Sequence, residues 1–440
     1  MRRAGAVRLM AGALLLALRL HALAAPAVAA RVDGAPLLAF SVDAMWRMAQ
    51  AAKPAAARQA TLDAMIENRL LAAAARKRYG EAALSAGQRV AFAREVQFDE
   101  QLAATLRTLY GAQMEQDLRK LPGGMDGVLR PGAKLDEETL AGVFGKTDGL
   151  MLGSTLDAAQ LERARAVVLL RYALPGRAEG SITLFDVYQR QNVQGRVALF
   201  AHDREFMLQQ ARQAVAALYV MDWSRRRFGD EALADLRAVL SEQADAQALM
   251  RLHGVGDDGH ADTALLDDLA RKVGAAEVRA YYRQNRSQFV RIAQVRARHI
   301  RLPDERSARM VAAQLAAGAD FADLARRHSM APDAANGGSL GWVRHEGTPG
   351  WLAQLLFAQP QGQVSPPVRT PAGPGDNAAW EIVLVEQREQ GYQDIGSEAV
   401  RYVASRAIAR EAAVAQLTAL RKELRRKARI EIAATAKAAA

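Results

Sequence analysis

Apolar positions along the chain recur mostly at helical spacing, interrupted by short extended pieces. Leu9 to Leu18 is a brief apolar run behind Arg2, Arg3 and Arg8. It is followed by the small-residue signals Ala22-Leu23-Ala24 and Ala27-Val28-Ala29. That layout predicts a secretory signal peptide over residues 1–29, too short to span a bilayer. Next, Gly34 and Pro36 punctuate the apolar pieces of residues 31–40, which predicts a small hairpin or extended arm. Ser41 suits a helix N-cap, and Leu62, Met65, Ile66, Leu70 and Ala73 mark a helical face that stops at Gly80.

This unit occurs twice. Residues 76–84 read Arg-Lys-Arg-Tyr-Gly-Glu-Ala-Ala-Leu, and residues 225–233 read Arg-Arg-Arg-Phe-Gly-Asp-Glu-Ala-Leu. Each follows a long helical stretch and, before it, a glycine-started extended piece at 34–40 or 180–185. The pattern predicts an arm-and-helix repeat over about 34–110 and 180–255 within a helical region, 30–290. The glycine-rich stretch 121–155 between the copies reads as a loop-rich linker.

The periodicity changes near residue 290. Val295 to Leu302 alternates like a strand, helical spacing returns at 305–317 and 321–328, and a last strand falls at 379–385. Residues 291–388 therefore form a compact α+β domain. In the tail 389–440, residues 397–428 form one long helix with Val400, Val403, Ala407, Val414, Leu417, Leu420 and Leu424 on one face, which needs the helices before 290 as its partner. The fold class is α+β, mostly helical.

Composition narrows the chemistry. The 440 residues are 50% hydrophobic and 24% charged, with no cysteine. Disulfides, thiolate metal sites and a cysteine nucleophile are excluded. The net charge is +11, and the four arginines of the first 29 residues supply part of it. The basic run 421–429 reads as a solvated helix face rather than a nucleic-acid contact. Gly254-Val-Gly-Asp-Asp-Gly259 has the dinucleotide-binding spacing but no preceding strand, and two aspartates occupy the pyrophosphate position. His253 and His260 lack the spacing of a metal pair.

Several short pieces, in order, carry a resemblance. They are Val295-Arg-Ala-Arg-His-Ile300, Gly318-Ala-Asp-Phe-Ala-Asp-Leu-Ala325, His328-Ser329, Asn336-Gly-Gly-Ser-Leu-Gly-Trp342, Phe357, and Gly362-Gln-Val-Ser-Pro-Pro-Val368. Over about a hundred residues the chain resembles the parvulin family of peptidyl-prolyl isomerases. Its whole layout is similar to periplasmic chaperone–isomerases of the SurA type. The resemblance implies a periplasmic folding factor acting on X–Pro bonds, with no cofactor and no metal. Its partners would be unfolded or proline-containing polypeptides, such as outer-membrane or secretion-system proteins, with neither nucleic acid nor stable membrane insertion. Two other readings stand beside it: a non-catalytic peptide-binding chaperone, and an accessory protein of an exopolysaccharide secretion system.

The resemblance also implies the site. The family's first-strand histidine is His299. Its last-strand histidine is replaced by Glu381, and Thr370 matches a hydroxyl residue before that strand. These three form the expected catalytic set. An Asp or Cys that follows the His-Ser pair falls at Ala331, in a loop one residue short. The family's proline-pocket positions fall at Thr348 and Leu352, and Leu352 with Phe357 would line an apolar pocket. Trp342 joins the substrate-binding set, although core packing is the plainer reading of its residue type. In the helical region, Met45, Trp46, Met65 and Phe206 are candidates for contact with unfolded clients.

Overall fold

The computed structural model describes residues 26–85, 94–147, 155–175, 177–256, 263–345, 350–373 and 378–434. The chain divides into two compact units, residues 1–261 with 415–440, and residues 262–414.

The first unit opens with β1 (Val28–Val32) and β2 (Ala35–Leu38), an antiparallel hairpin. Asp33 and Gly34 turn it with φ of 51° and 84°, the left-handed pair that suits a two-residue hairpin loop. The C-terminal strand Ile430–Ile432 adds to the other edge of β1. Val28 and Ala29, the last two residues of the expected signal segment 1–29, belong to β1. Its residues 1–25 lie outside the described residues.

Long helices follow at Ala39–Ala52, Arg58–Ser85 and Arg94–Arg119, and again at Arg204–Phe228 and Asp230–Leu252. Gly80 and Gly229, the matched glycines of the sequence repeat, adopt nearly the same backbone, φ 72° and ψ 166° against φ 84° and ψ 163°. A side chain is strained at such φ, so glycine breaks the helix at both places. Leu71, Ala75 and Leu84 pack with Ala246, Leu249 and Leu417 in one apolar cluster. Met65 is buried in a neighbouring cluster, and Met45 and Phe206 pack against cores. Trp46 donates its indole N–H to the Ala56 carbonyl. These four candidate client contacts are therefore largely committed to internal packing.

The stretch 121–155, expected as a loop-rich linker, is more ordered than its glycines suggested. It forms helix Gly124–Val128, β3 (Leu129–Pro131) and helix Glu137–Phe144, while 148–154 lie outside the described residues. β3 pairs with β4 (Val168–Tyr172), which pairs with β5 (Gly180–Thr183). Asp136 caps helix Glu137–Phe144 by accepting from the Thr139 N–H, a local signal that glycine content hides.

The second unit contains an antiparallel sheet of β6 (Val290–Leu302), β7 (Ser339–Arg344), β8 (Val368–Arg369) and β9 (Trp380–Tyr392), in the order β7-β6-β9-β8. One face carries Ile300, Leu302 and Ile382 against helices Glu305–Ala316 and Phe321–His328. The other carries Val295, Ala297, Val383 and Val385 beneath helix Trp351–Ala358. Both central strands outrun their predicted ends. The added part of β9, residues 386–392, is mostly polar, with Glu386 paired to Arg296 and Glu389 to Gln294, so no apolar alternation marks it; the added part of β6 packs only Ile292 on the apolar cluster.

The boundary expected at 291 differs from the unit boundary at 262. Val273, Val278, Tyr282 and Phe289 form a cluster with Val400 and Ala404, and this ties the segment before β6 to the first half of helix Glu398–Lys427. Later in that helix, Arg421 and Arg425 pair with Glu67 and Asp63.

Candidate active site

His299 lies near the end of β6, directly opposite Val383 on β9, and Arg301 lies opposite Glu381. Side chains of paired residues share a face, and alternate residues return to it. His299, Arg301, Glu381 and Val383 thus project from the same side of the sheet, the side covered by helix Trp351–Ala358.

Glu381 is fully buried and His299 only 5% exposed. His299 Nδ1 lies 2.9 Å from Glu381 Oε2, and Arg301 Nε–H donates to Glu381 Oε1 at 2.5 Å. His299 Nε2 meets Asp333 Oδ1 at 3.0 Å. Both ring nitrogens therefore face carboxylate oxygens, which only accept. The doubly protonated imidazolium satisfies both contacts, whereas a neutral ring would turn one lone pair toward a carboxylate. Burial by itself lowers the imidazole pKa. The hydrogen bond and charge of Glu381, with those of Asp333, outweigh burial, and the net shift is upward. Arg301, Glu381, His299 and Asp333 form a row of alternating charge that sums to zero, which limits the penalty of burying it.

Asp333 was missed by sequence reasoning, which looked to position 331. Ala331 is buried and brings no polar group. The shortened loop instead delivers the carboxylate two residues later. Ser329 Oγ accepts from the Arg301 N–H, and the Met330 N–H donates to the Arg301 carbonyl, which fastens the loop's start to β6. Its end is fastened by the His299 N–H donating to the Gly338 carbonyl. Gly338 has φ 69°, and a Cβ there would come within 2.0 Å of the His299 oxygen. The glycine pair at 337–338 was visible in the sequence, and its close approach to the histidine strand was the available signal. The second oxygen of Asp333 is buried without a hydrogen-bond partner among the described residues.

The remaining expected residues divide. Leu352 and Phe357 pack on the cluster of Val295, Ala297, Val383 and Val385, so the apolar wall adjoins the histidine face. The Phe357 ring also lies 4.9 Å from that of His345. Thr370 accepts at its hydroxyl from the Ala379 N–H while its own N–H donates to the Ala379 carbonyl. Its hydrogen bonds thus close the neck between β8 and β9 rather than reach the imidazole. Trp342 pairs with Arg296, which puts it on the face opposite His299. It is 40% exposed, so both core packing and a place beside the histidine are corrected. Thr348 lies outside the described residues.

Residues 302–386 match the Rotamase family, the PPIC-type PPIASE domain. Asp333 and Glu381 fall inside the match, and His299 just before it. Foldase protein PrsA of Halalkalibacterium halodurans is 33% identical over 120 residues, 27% of this chain and 33% of that protein. Chaperone SurA of Thiobacillus denitrificans is 41% identical over 80 residues, 18% of this chain and 17% of that protein. The chain thus spans a third or less of the length of these two relatives. A crystal structure of a PpiC-type peptidyl-prolyl cis-trans isomerase domain is 27% identical, covering 23% of this chain and 97% of that one with a TM-score of 0.19. In the PPIC-type domain of the present chain, the polar row and the apolar wall are neighbours on one sheet face.

Proposed function

We propose that this protein is an exported folding factor whose PPIC-type domain isomerises X–Pro bonds of unfolded polypeptides, at a rate held low by its altered polar row. The observation that carries the reading is His299 held between Glu381 and Asp333 on the face that also bears Leu352 and Phe357. The names of the matched relatives, a foldase and a chaperone, support the same reading. The arginines and apolar run of the first 29 residues support export, and the periplasm is the compartment assigned.

The chemistry asks for little. Rotation about a peptide bond meets a barrier of ~18–20 kcal/mol because the planar amide is stabilised by resonance. Twisting removes that resonance and its charge separation, so the twisted amide is favoured in an apolar setting. Leu352 and Phe357 supply such a setting for the proline ring. His299 then acts as a positioning residue: its Nε2 holds Asp333 and its Nδ1 holds Glu381, which fixes the polar row beside that setting. The low rate follows from the same geometry. Both nitrogens of His299 are occupied by internal carboxylates, and position 381 offers an acceptor where the parvulin pattern has a second imidazole. His299 thus keeps no N–H free to follow charge at the substrate carbonyl.

The test is a proline-isomerisation assay with the full chain and an X–Pro model peptide. We expect a rate above the spontaneous one that falls about tenfold in Phe357→Ala, which strips the apolar wall by the equivalent of ~1.4 kcal/mol. A rate equal to the spontaneous one overturns the enzymatic reading and leaves a peptide-binding module.

A further inference from the structure

In the first unit, helices Arg94–Arg119 and Arg204–Phe228 and the residues around 187–192 line a cavity of about 390 Å³. Its helical walls present Ala103 and Ala104 from one helix and Ala214 and Ala217, three residues apart on one face, from the other. Small side chains there leave the floor open. Around that floor stand the carboxamides of Gln191, Asn192, Gln210 and Gln213 and the charged groups of Glu100, Arg107 and Arg190.

We propose that this cavity binds a polypeptide segment in extended conformation, held through its backbone amides, and prefers segments that carry a carboxylate. The proposal concerns a different site from the isomerase domain and does not rest on that reading.

The carboxamides form an organised set. Gln191 is only 7% exposed, and a buried amide costs stability unless it is hydrogen-bonded. Its Nε2 donates to the Val187 carbonyl at 3.1 Å and to Gln210 Oε1 at 3.2 Å. Gln210, accepting through its oxygen, keeps N–H donors for a ligand. Each carboxamide carries both donors and acceptors, as a peptide group does. A helical ligand has already satisfied its own backbone groups, so amides around the floor would gain nothing from it. An extended strand brings unpaired N–H and C=O groups on alternate sides. Charge sets the preference. Glu100 lies 3.8 Å from Arg190, and Arg107 adds a second guanidinium to a lining with that single carboxylate. Guanidinium groups suit planar carboxylates.

The test uses the full chain and three labelled short peptides of equal charge: an acidic unstructured peptide, the same peptide N-methylated at alternate residues, and an amphipathic helix-former. Three variants accompany it. Arg107→Glu reverses the charge. Gln213→Leu removes one carboxamide. Gly195→Ala would bring a Cβ within 2.3 Å of Gln191 Oε1 and so displaces that flexible carboxamide, while alanine favours helix Val193–Phe200. We expect the acidic unstructured peptide to bind best and to weaken about tenfold on N-methylation and in each variant. Isomerase activity and helical circular dichroism should stay at wild-type levels in all three variants. The proposal is overturned if the N-methylated or helical peptide binds as tightly as the unstructured one, or if Arg107→Glu and Gly195→Ala leave affinity unchanged.

Discussion

His299 and Glu381 sit on adjacent antiparallel strands, 2.9 Å apart on one face of the sheet, in a place where the parvulin pattern puts two imidazoles. The exchange turns a pair of basic rings into an ion pair, and Asp333 extends it on the far side of the ring. The folded state therefore binds the imidazolium proton more tightly than the unfolded chain does. Stabilisation by the charged ring is complete below the unfolded-state pKa of about 6.5 and is lost as pH rises through the higher folded-state value. Thermal melts of wild type against His299→Gln should converge as pH rises through that value. A gap that widens with rising pH would contradict the imidazolium.

Removal of the ring should cost stability as well as function. In His299→Ala, the Asp333 carboxylate loses its one hydrogen-bond partner among the described residues, and the Glu381 carboxylate keeps Arg301. Loss of one member of a buried charged set costs about 3–5 kcal/mol. Urea denaturation should show a drop on that scale for the second unit's transition. A loss below about 1 kcal/mol would mean that the row is solvated rather than buried.

Glu381→His restores the residue type of the parvulin pattern, yet it should not restore activity alone. Arg301 donates to Glu381 Oε1, so a histidine there would stand beside two cations with only Asp333 to balance them. We expect the single variant to be destabilised by roughly 3 kcal/mol. The double variant with Arg301→Leu should recover most of that loss. Equal stability of the single and double variants would contradict coupling between 301 and 381.

Gly338 carries the loop that delivers Asp333. Alanine there would be strained at φ 69° and would press on the His299 carbonyl. The cost should be about 3 kcal/mol or more, with the imidazole signal shifted in NMR because Asp333 moves. An unshifted imidazole signal would show that Asp333 holds its place without this loop geometry.

Much of this was legible in the residues. Alternation at Val295–Leu302 and the two matched glycines, Gly80 and Gly229, foretold strand and helix break because each follows from local backbone chemistry. The meeting of His299 with Glu381 was legible only through the resemblance to the parvulin pattern, which puts those two positions on neighbouring strands. Asp333 was not, since a shortened loop re-aims its side chains and spacing alone does not say which residue arrives. Trp342 misled because an aromatic type says nothing of which sheet face its register selects. The extension of β9 around Glu389 left no periodic mark, as its residues are mostly polar, and in β6 only Ile292 of the added residues reaches the apolar cluster.

The central claim is that a charged His299, fixed between two carboxylates, organises an isomerase site of low activity. Its most direct test is the pH profile of proline isomerisation by the full chain, wild type against His299→Gln. The account predicts a measurable wild-type rate that falls as pH rises through the folded imidazolium pKa, and a weaker His299→Gln rate with no such step. A His299→Gln variant that keeps the wild-type rate and pH profile would contradict it.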